Sequence, residues 1–134
     1  MLVATSMPSR SIDFDTVRQI GLELPGVQEG TKWGQRALTM GTRFLTCRAM
    51  HRSADPESIV VVVGFEERAQ LIAAHPETFY ITEHYINYPV VLVRLARITR
   101  TRLRDVLALG TRFVTRGVRR TSRARRSPGV QSRS

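Results

Sequence analysis

The chain has 134 residues, of which 42% are hydrophobic, so it can bury the core of one domain without disulfides or a bound metal. Its single cysteine, Cys47, excludes an internal disulfide framework and a cysteine-based zinc site. No apolar run approaches the roughly 20 residues that cross a bilayer, and the first residues lack a secretory pattern. We therefore expect a soluble cytoplasmic protein with no membrane partner.

The formal net charge of +10 is concentrated in the last third of the chain. Residues 1–93 contain eight basic and ten acidic side chains, whereas residues 94–134 contain thirteen arginines and one acid, Asp105. Such an excess predicts contact with DNA or another polyanion. Twenty of the 21 basic residues are arginine, however, and a GC-rich genome alone can produce that ratio.

In the first half of the chain, apolar spacing and helix breakers predict one helix and three strands. Residues 1–11 are typical of an irregular leader. Asp13 can cap a helix that runs to about Leu24, where Pro25 and Gly26 end it. The predicted strands cover residues 33–40, 43–49 and 59–63, with a tight turn at 41–42 and a loop over 51–57. The third strand is β-branched, as is typical of a strand buried on both faces.

In the second half, Gly64 precedes a predicted helix over Phe65–Ala74, which Pro76 ends. Two further strands are predicted at residues 79–81 and 89–95, joined by a polar and aromatic turn around 83–88. The last helix begins near 99–101 and runs to about Arg116, with apolar residues on one arc and arginines on the opposite arc.

Residues 117–134, called the tail below, differ in composition from the rest. They contain six arginines and two large aliphatic residues, which is too little apolar surface to offset the entropy of ordering. This composition predicts a disordered basic tail after a domain over residues 12–116.

The element order α-β-β-β-α-β-β-α predicts the fold class. Strands joined by short loops pair as an antiparallel sheet, and helices with one apolar face each cover one side of it. We expect an α+β fold: a two-layer sandwich whose antiparallel sheet carries its helices on one face.

Several segments in a fixed order carry a resemblance to a known family. They are residues 17–29, Trp33-Gly34, residues 65–68 with Leu71-Ile72, residues 75–80, His84-Tyr85 and residues 88–95. Together they resemble the MmcQ/YjbR family, which is often labelled DNA-binding, over roughly residues 12–116. The resemblance implies an α-β(3)-α-β(2)-α fold similar to that of type III secretion chaperones. No catalytic residues are associated with the family, so none is transferred.

Three groups of residues are candidates for nucleic-acid contact through phosphate pairing or ring stacking. They are Arg119, Arg120, Arg123, Arg125 and Arg126 in the tail; Arg97, Arg104, Arg112 and Arg116 along the last helix; and Lys32, Trp33, Arg36 and Arg43 on the first hairpin. Each group has a structural alternative: a solvated tail, the wet face of an amphipathic helix, and a tryptophan in the core. For Trp33 we expect burial, which is usual for a lone tryptophan.

The remaining chemistry-bearing residues predict no catalytic or metal site. His51, His75 and His84 lack metal-ligand spacing, and Cys47 lies in a predicted strand as a buried thiol. His84, Tyr85 and Tyr88 form a turn whose rings either line a groove or pack on the sheet edge. We expect a non-enzymatic binding protein without cofactor that contacts nucleic acid non-specifically; the alternative is a protein-interaction or chaperone-like module.

Overall fold

The computed structural model describes the backbone of residues 12–126 and the side chains of residues 12–116. Its elements in chain order are α1 (Phe14–Leu22), β1 (Gln28–Lys32), β2 (Gln35–Met40), β3 (Arg43–Arg48), β4 (Ser58–Val62), α2 (Phe65–Ala74), β5 (Phe79–Tyr80), β6 (Val90–Arg94), a 3₁₀ turn (Leu95–Arg97) and α3 (Arg100–Arg126). The six strands pair antiparallel in the order β1-β2-β3-β4-β6-β5. The predicted α+β class, with an antiparallel sheet, is confirmed.

One face of the sheet, called the helix face, packs against all three helices. Side chains of β4 and β6 that point to this face, such as Val61 and Val91, are fully buried. They share one apolar cluster with Val17 of α1 and Leu107 of α3, and α2 packs on the same cluster. Because successive residues of a strand alternate between faces, the neighbouring residues of β4 and β6 point away from the helices.

The start of α1 follows the predicted capping. The side chain of Asp13 accepts a hydrogen bond from the Thr16 backbone N–H at 3.0 Å, which supplies an acceptor for one of the donors that a helix start leaves unpaired. The same bond lowers the pKa of the Asp13 carboxyl below its ordinary value. After Leu24, Gly26 adopts a φ of 83°, and the chain turns into β1.

The first hairpin differs from the prediction of a strand over residues 33–40. The chain adds a strand, β1, and places Trp33 and Gly34 in the two-residue turn between β1 and β2. Both turn residues have positive φ, 53° and 75°, as a type I′ turn requires. The prediction missed β1 because this edge strand is polar, and it extended β2 backwards because tryptophan is common in strands.

The last helix also differs from the prediction. It begins at Arg100 and continues to Arg126, ten residues beyond the predicted end at Arg116, so the backbone is helical over 117–126, where the composition predicts disorder. Arginine and alanine favour helix strongly, and no proline occurs between Arg100 and Pro128. The leader over 1–11 and residues 127–134 lie outside the described residues. Within the described part, no helix is both long and apolar enough to cross a membrane.

Candidate functional site

Trp33 is exposed at the tip of the first hairpin, with 66% of its surface accessible, so the prediction of a buried tryptophan is wrong. The cause is its position in the turn, since the turn carries it beyond the paired strands. The indole ring lies 5.7 Å from the ring of Phe44, centroid to centroid. The Lys32 Nζ lies 5.1 Å from the Trp33 centroid and 5.6 Å from that of Phe44.

The face of the sheet opposite the helices, called the open face, is covered by loops instead. Val60, Val62 and Leu92 point to this face and are almost fully buried. They pack with Tyr85, from the loop between β5 and β6, with Ala54, from the loop between β3 and β4, and with Val114, from α3. The loops leave part of this face uncovered beside the first hairpin.

A concave site, called the aromatic groove, fills this uncovered part of the open face. Its volume is about 550 Å³, and its floor includes Val60 and Val62. Its walls are formed by Lys32, Trp33 and Phe44 on one side and by His84, Tyr85 and Tyr88 on the other. A second hollow of about 540 Å³ adjoins it and shares Trp33, His84 and Tyr85.

The second wall of the groove is held by a stacked pair of histidines. The rings of His51 and His84 lie 3.5 Å apart and nearly parallel, and the Tyr85 ring meets that of His84 edge-on at 4.8 Å. The Tyr85 hydroxyl accepts a long hydrogen bond from the His51 backbone N–H, and the His51 Nδ1 accepts one from the Ser53 N–H. Desolvation lowers the pKa of His51, and coulombic repulsion from His84 and Arg52 lowers it further.

The backbone behind this wall is fixed by α2 and β4. Arg68 donates hydrogen bonds to the carbonyls of Tyr88 and Val90 at 3.0 and 3.2 Å. The Val63 N–H donates to the Pro89 carbonyl at 3.0 Å. The groove is therefore formed before any ligand enters it. Burial within it raises the pKa of Tyr85.

The four candidate residues of the first hairpin do not form one site. Lys32 and Trp33 lie together at the aromatic groove, but Arg36 points to the helix face and lies 3.7 Å from the Asp15 carboxylate. Arg36 also lines a separate cavity of about 460 Å³ that contains both carboxylates and guanidinium groups. Arg43 is exposed at the turn between β2 and β3. Sequence reasoning did not single out Phe44 or join it to the residues of 84–88, because the strand pairing that brings them together is non-local.

The arginines predicted on the last helix are partly paired with acids. Arg104 contacts Glu23 at 2.6 Å and Arg116 contacts Glu67 at 3.6 Å, while Arg112 is exposed and has no ion pair among the described residues. Arg97 lies in the 3₁₀ turn before α3, so its prediction on the helix face is wrong.

Because the backbone is helical through Arg126, three arginines of the tail fall in line with Arg112 and Arg116. At about 100° per residue, five arginines fall within an arc of about 80°, opposite the buried positions. These five, called the arginine stripe, are Arg112, Arg116, Arg119, Arg123 and Arg126. By the same geometry Arg120 lies at the border of the stripe, and Arg125 lies on the other side of the helix. The side chains of 117–126 lie outside the described residues.

Cys47 is inaccessible, and the histidines of the described residues are not grouped with other metal ligands. Cys47 is fully buried on the open face, and burial raises the pKa of its thiol to about 12. Within residues 12–116, no three histidine, cysteine or carboxylate side chains are grouped as a metal site would need.

Comparison with known proteins identifies the fold. No model of a known protein family matches the sequence, and no curated protein matches it. The structure is similar to the crystal structure of Deinococcus radiodurans protein DR2400, described as a DUF419 domain, with a TM-score of 0.61. The match covers 79% of this chain and 80% of that chain at 21% identity. DUF419 is a family of MmcQ/YjbR type, so the comparison supports the fold that the resemblance implies, although this chain has one strand, β1, more than the implied order.

Proposed function

We propose that the protein is a non-enzymatic member of the MmcQ/YjbR group that binds nucleic acid non-specifically, through the arginine stripe of α3. The observation that carries this proposal is the continuation of α3 to Arg126. A helix converts arginines scattered along the sequence into one row about 21 Å long. Duplex DNA presents one phosphate charge per roughly 1.7 Å of its axis, so the row spans many phosphates.

The charge around the stripe supports phosphate contact. Residues 117–134 contain no acidic residue, so no carboxylate neighbours the distal half of the stripe in the sequence. Glu67 lies near Arg116 at the proximal end, where both groups are partly exposed and the pair is weak. Guanidinium groups bind phosphate through paired N–H donors, and such contacts carry no base information. Sequence-independent binding is the expected result.

The experiment compares two full-length variants with the same reduction in charge. The stripe variant replaces Arg112, Arg119, Arg123 and Arg126 with glutamine. The control variant replaces Arg43, Arg52, Arg97 and Arg100 with glutamine. Each lowers the net charge of +10 by four. Affinity for a duplex is measured by fluorescence anisotropy at several salt concentrations.

We expect the stripe variant to lower the salt slope of duplex binding by about 0.9 for each phosphate that the protein no longer neutralises, and the control variant to change the slope much less. An equal decrease in both variants would show that net charge, not the stripe, drives binding. Failure of the wild-type protein to bind at about 50 mM salt, where non-specific binding is strong, would reject the proposal.

A protein-interaction module is the second candidate, and the exposed apolar residues favour it. Trp33, Met50 and Tyr88 are more than half exposed and surround the aromatic groove and its neighbouring hollow. A partner or a second copy could cover such a patch. Light scattering over a range of protein concentrations tests self-association: a dimer that Trp33→Ala and Tyr88→Ala dissociate would support this candidate.

A further inference from the structure

Trp33 occupies a position that neither the local backbone nor packing favours. Its φ of 53° lies in the left-handed region, where a bulky residue is unusual and glycine or asparagine is preferred. Two-thirds of its surface is exposed, so its ring gains little from burial in the fold. Backbone strain at an exposed ring is typical of a residue held for contact with a ligand.

The walls of the aromatic groove are positioned without a ligand. Trp33 rests against Phe44, and His84 is stacked on His51. The backbone of Tyr88 is held by Arg68. A flat group that enters between these walls would meet rings whose positions are already set, which reduces the entropy cost of binding.

The charge of the aromatic groove indicates which kind of planar ligand would fit it. Lys32 is the cation of the lining, and the lining contains no carboxylate. The Lys32 ammonium lies over the rings of Trp33 and Phe44 and forms no salt bridge with the described residues. A planar ring with an attached anionic group therefore matches the groove better than an apolar side chain does, because the anion would pair with the Lys32 ammonium.

We propose that the aromatic groove binds a nucleotide, with the unpaired base stacked on Trp33 and the phosphate at Lys32. Bases stack on exposed aromatic rings in single-strand-binding proteins, and the groove volume of about 550 Å³ is within the usual range for small-ligand sites. This inference goes beyond the proposed function, since one nucleotide can occupy the groove whether or not the arginine stripe binds a duplex. The nucleotide is either free or part of a single strand.

The first experiment uses the full-length protein and the fluorescence of Trp33, the single tryptophan of the chain. Adenosine monophosphate, adenosine and ribose 5-phosphate are titrated separately. We expect saturable quenching by the nucleotide, weaker binding of adenosine, which lacks the phosphate, and no quenching by ribose 5-phosphate, which lacks the base. Absence of quenching by the nucleotide at millimolar concentration would overturn the proposal.

The second experiment measures nucleotide binding by calorimetry in four variants. Trp33→Ala should weaken binding by roughly 5- to 150-fold, the range expected for one stacked base, and Trp33→Tyr should recover most of the affinity. Lys32→Gln should weaken it by about two- to fivefold, as expected for a partly exposed ion pair. Phe65→Leu is the control, because it removes an exposed ring outside the groove, keeps an apolar side chain beside Arg68, and should have no effect. Equal effects of Phe65→Leu and Trp33→Ala would overturn the proposal.

Competition separates the two sources of the nucleotide. A single-stranded oligonucleotide that displaces adenosine monophosphate, while its duplex does not, identifies the bases of a strand as the ligand. Binding of the mononucleotide with no displacement by the oligonucleotide identifies a free nucleotide. A tyrosine-containing peptide that binds the groove when no nucleotide does would overturn the proposal in favour of a protein partner. The stripe variant should bind the mononucleotide normally, so loss of duplex affinity and loss of nucleotide affinity can be told apart.

Discussion

The two faces of the sheet are closed in different ways. The helix face is covered by three helices, and its side chains form a continuous buried cluster. The open face is covered mainly by two loops, with Val114 of α3 packed in the same cluster, and the aromatic groove remains beside the first hairpin. Side chains on the helix face are therefore expected to determine stability, and the exposed rings of the open face to determine binding. Substitutions on the two faces should separate these properties.

The largest expected difference comes from truncating one apolar side chain on each face. Leu107→Ala removes a fully buried side chain between α3 and the sheet, and should lower the free energy of unfolding by about 2–5 kcal/mol. Tyr88→Ala removes a ring that is 59% exposed, and should change it by about 0.5 kcal/mol or less. Urea denaturation followed by circular dichroism measures both. Similar decreases in the two variants would contradict the division between the faces.

A smaller decrease is expected at Gly110, where α3 lies close against the sheet. A Cβ atom at Gly110 would lie 2.7 Å from the Val62 carbonyl oxygen and 2.8 Å from Leu45 Cδ1. Alanine favours helix by about 1 kcal/mol over glycine, but the helix would have to move away from β4. We expect Gly110→Ala to lower stability by about 1–3 kcal/mol. A more stable variant in the same denaturation assay would show that α3 can shift without cost.

The helix face also contains a polar group whose removal should stabilise the fold. Thr46 is fully buried on β3, and its hydroxyl has no hydrogen-bond partner among the described residues. Thr46→Val replaces the hydroxyl with a methyl group of similar size and should raise stability by about 1 kcal/mol. Thr78→Val is the matched control, because the Thr78 hydroxyl donates to the Arg97 carbonyl at 2.8 Å. The control should be less stable than the wild type, and a decrease in both variants would imply that Thr46 has an unseen partner.

The helix face was predictable from the sequence because its signals are local. Apolar residues at helical spacing predicted α1 and the buried half of α3, and the β-branched run before Gly64 predicted β4. Capping by Asp13 placed the start of α1 correctly. Each of these elements buries an apolar face, so its apolar periodicity can be recognised within one short segment of the sequence. Polar β1 has no such pattern, and it was missed.

The open face was less predictable because its site depends on tertiary structure. Trp33 was placed in a strand because its type favours strands, whereas the turn geometry puts it at a tip. Phe44 and His84 are distant in sequence, and the pairing of β4 with β6 brings their segments to one face. The distal half of α3 was missed for another reason. Its low apolar content predicted disorder, but arginine and alanine favour helix locally.

A modest gain in stability is expected at the tip of the hairpin. Trp33→Asn places a residue that tolerates positive φ in the type I′ turn, and should raise the free energy of unfolding by about 0.5–1 kcal/mol. Trp33→Phe keeps a ring and the unfavourable backbone, and should leave stability nearly unchanged. Circular dichroism in urea measures both. A less stable asparagine variant would show that the contacts of the indole with Phe44 and Lys32 outweigh the strain.

The smallest expected effect is a pH dependence that originates on the open face. The fold lowers the pKa of His51, so between its ordinary value of about 6.5 and the lower folded value the unfolded chain binds more protons than the folded chain. The contribution of neutral His51 to the free energy of unfolding is therefore fully present above about pH 6.5, and it decreases as the pH falls through this window. We expect a small decrease in Tm between about pH 7.5 and 5.5, on either side of that ordinary value.

His51→Asn provides the control for this titration, because asparagine keeps a side-chain acceptor for the Ser53 N–H but does not protonate. The decrease in Tm over the same pH range should be smaller in this variant than in the wild type. His84→Gln should also reduce it, since coulombic repulsion from His84 contributes to the lowered pKa of His51, but less completely because desolvation remains the main cause. An unchanged pH dependence in both variants would show that a group other than His51 titrates in this range. The stacked histidines would then form a wall of the groove without making the stability of the fold depend on pH.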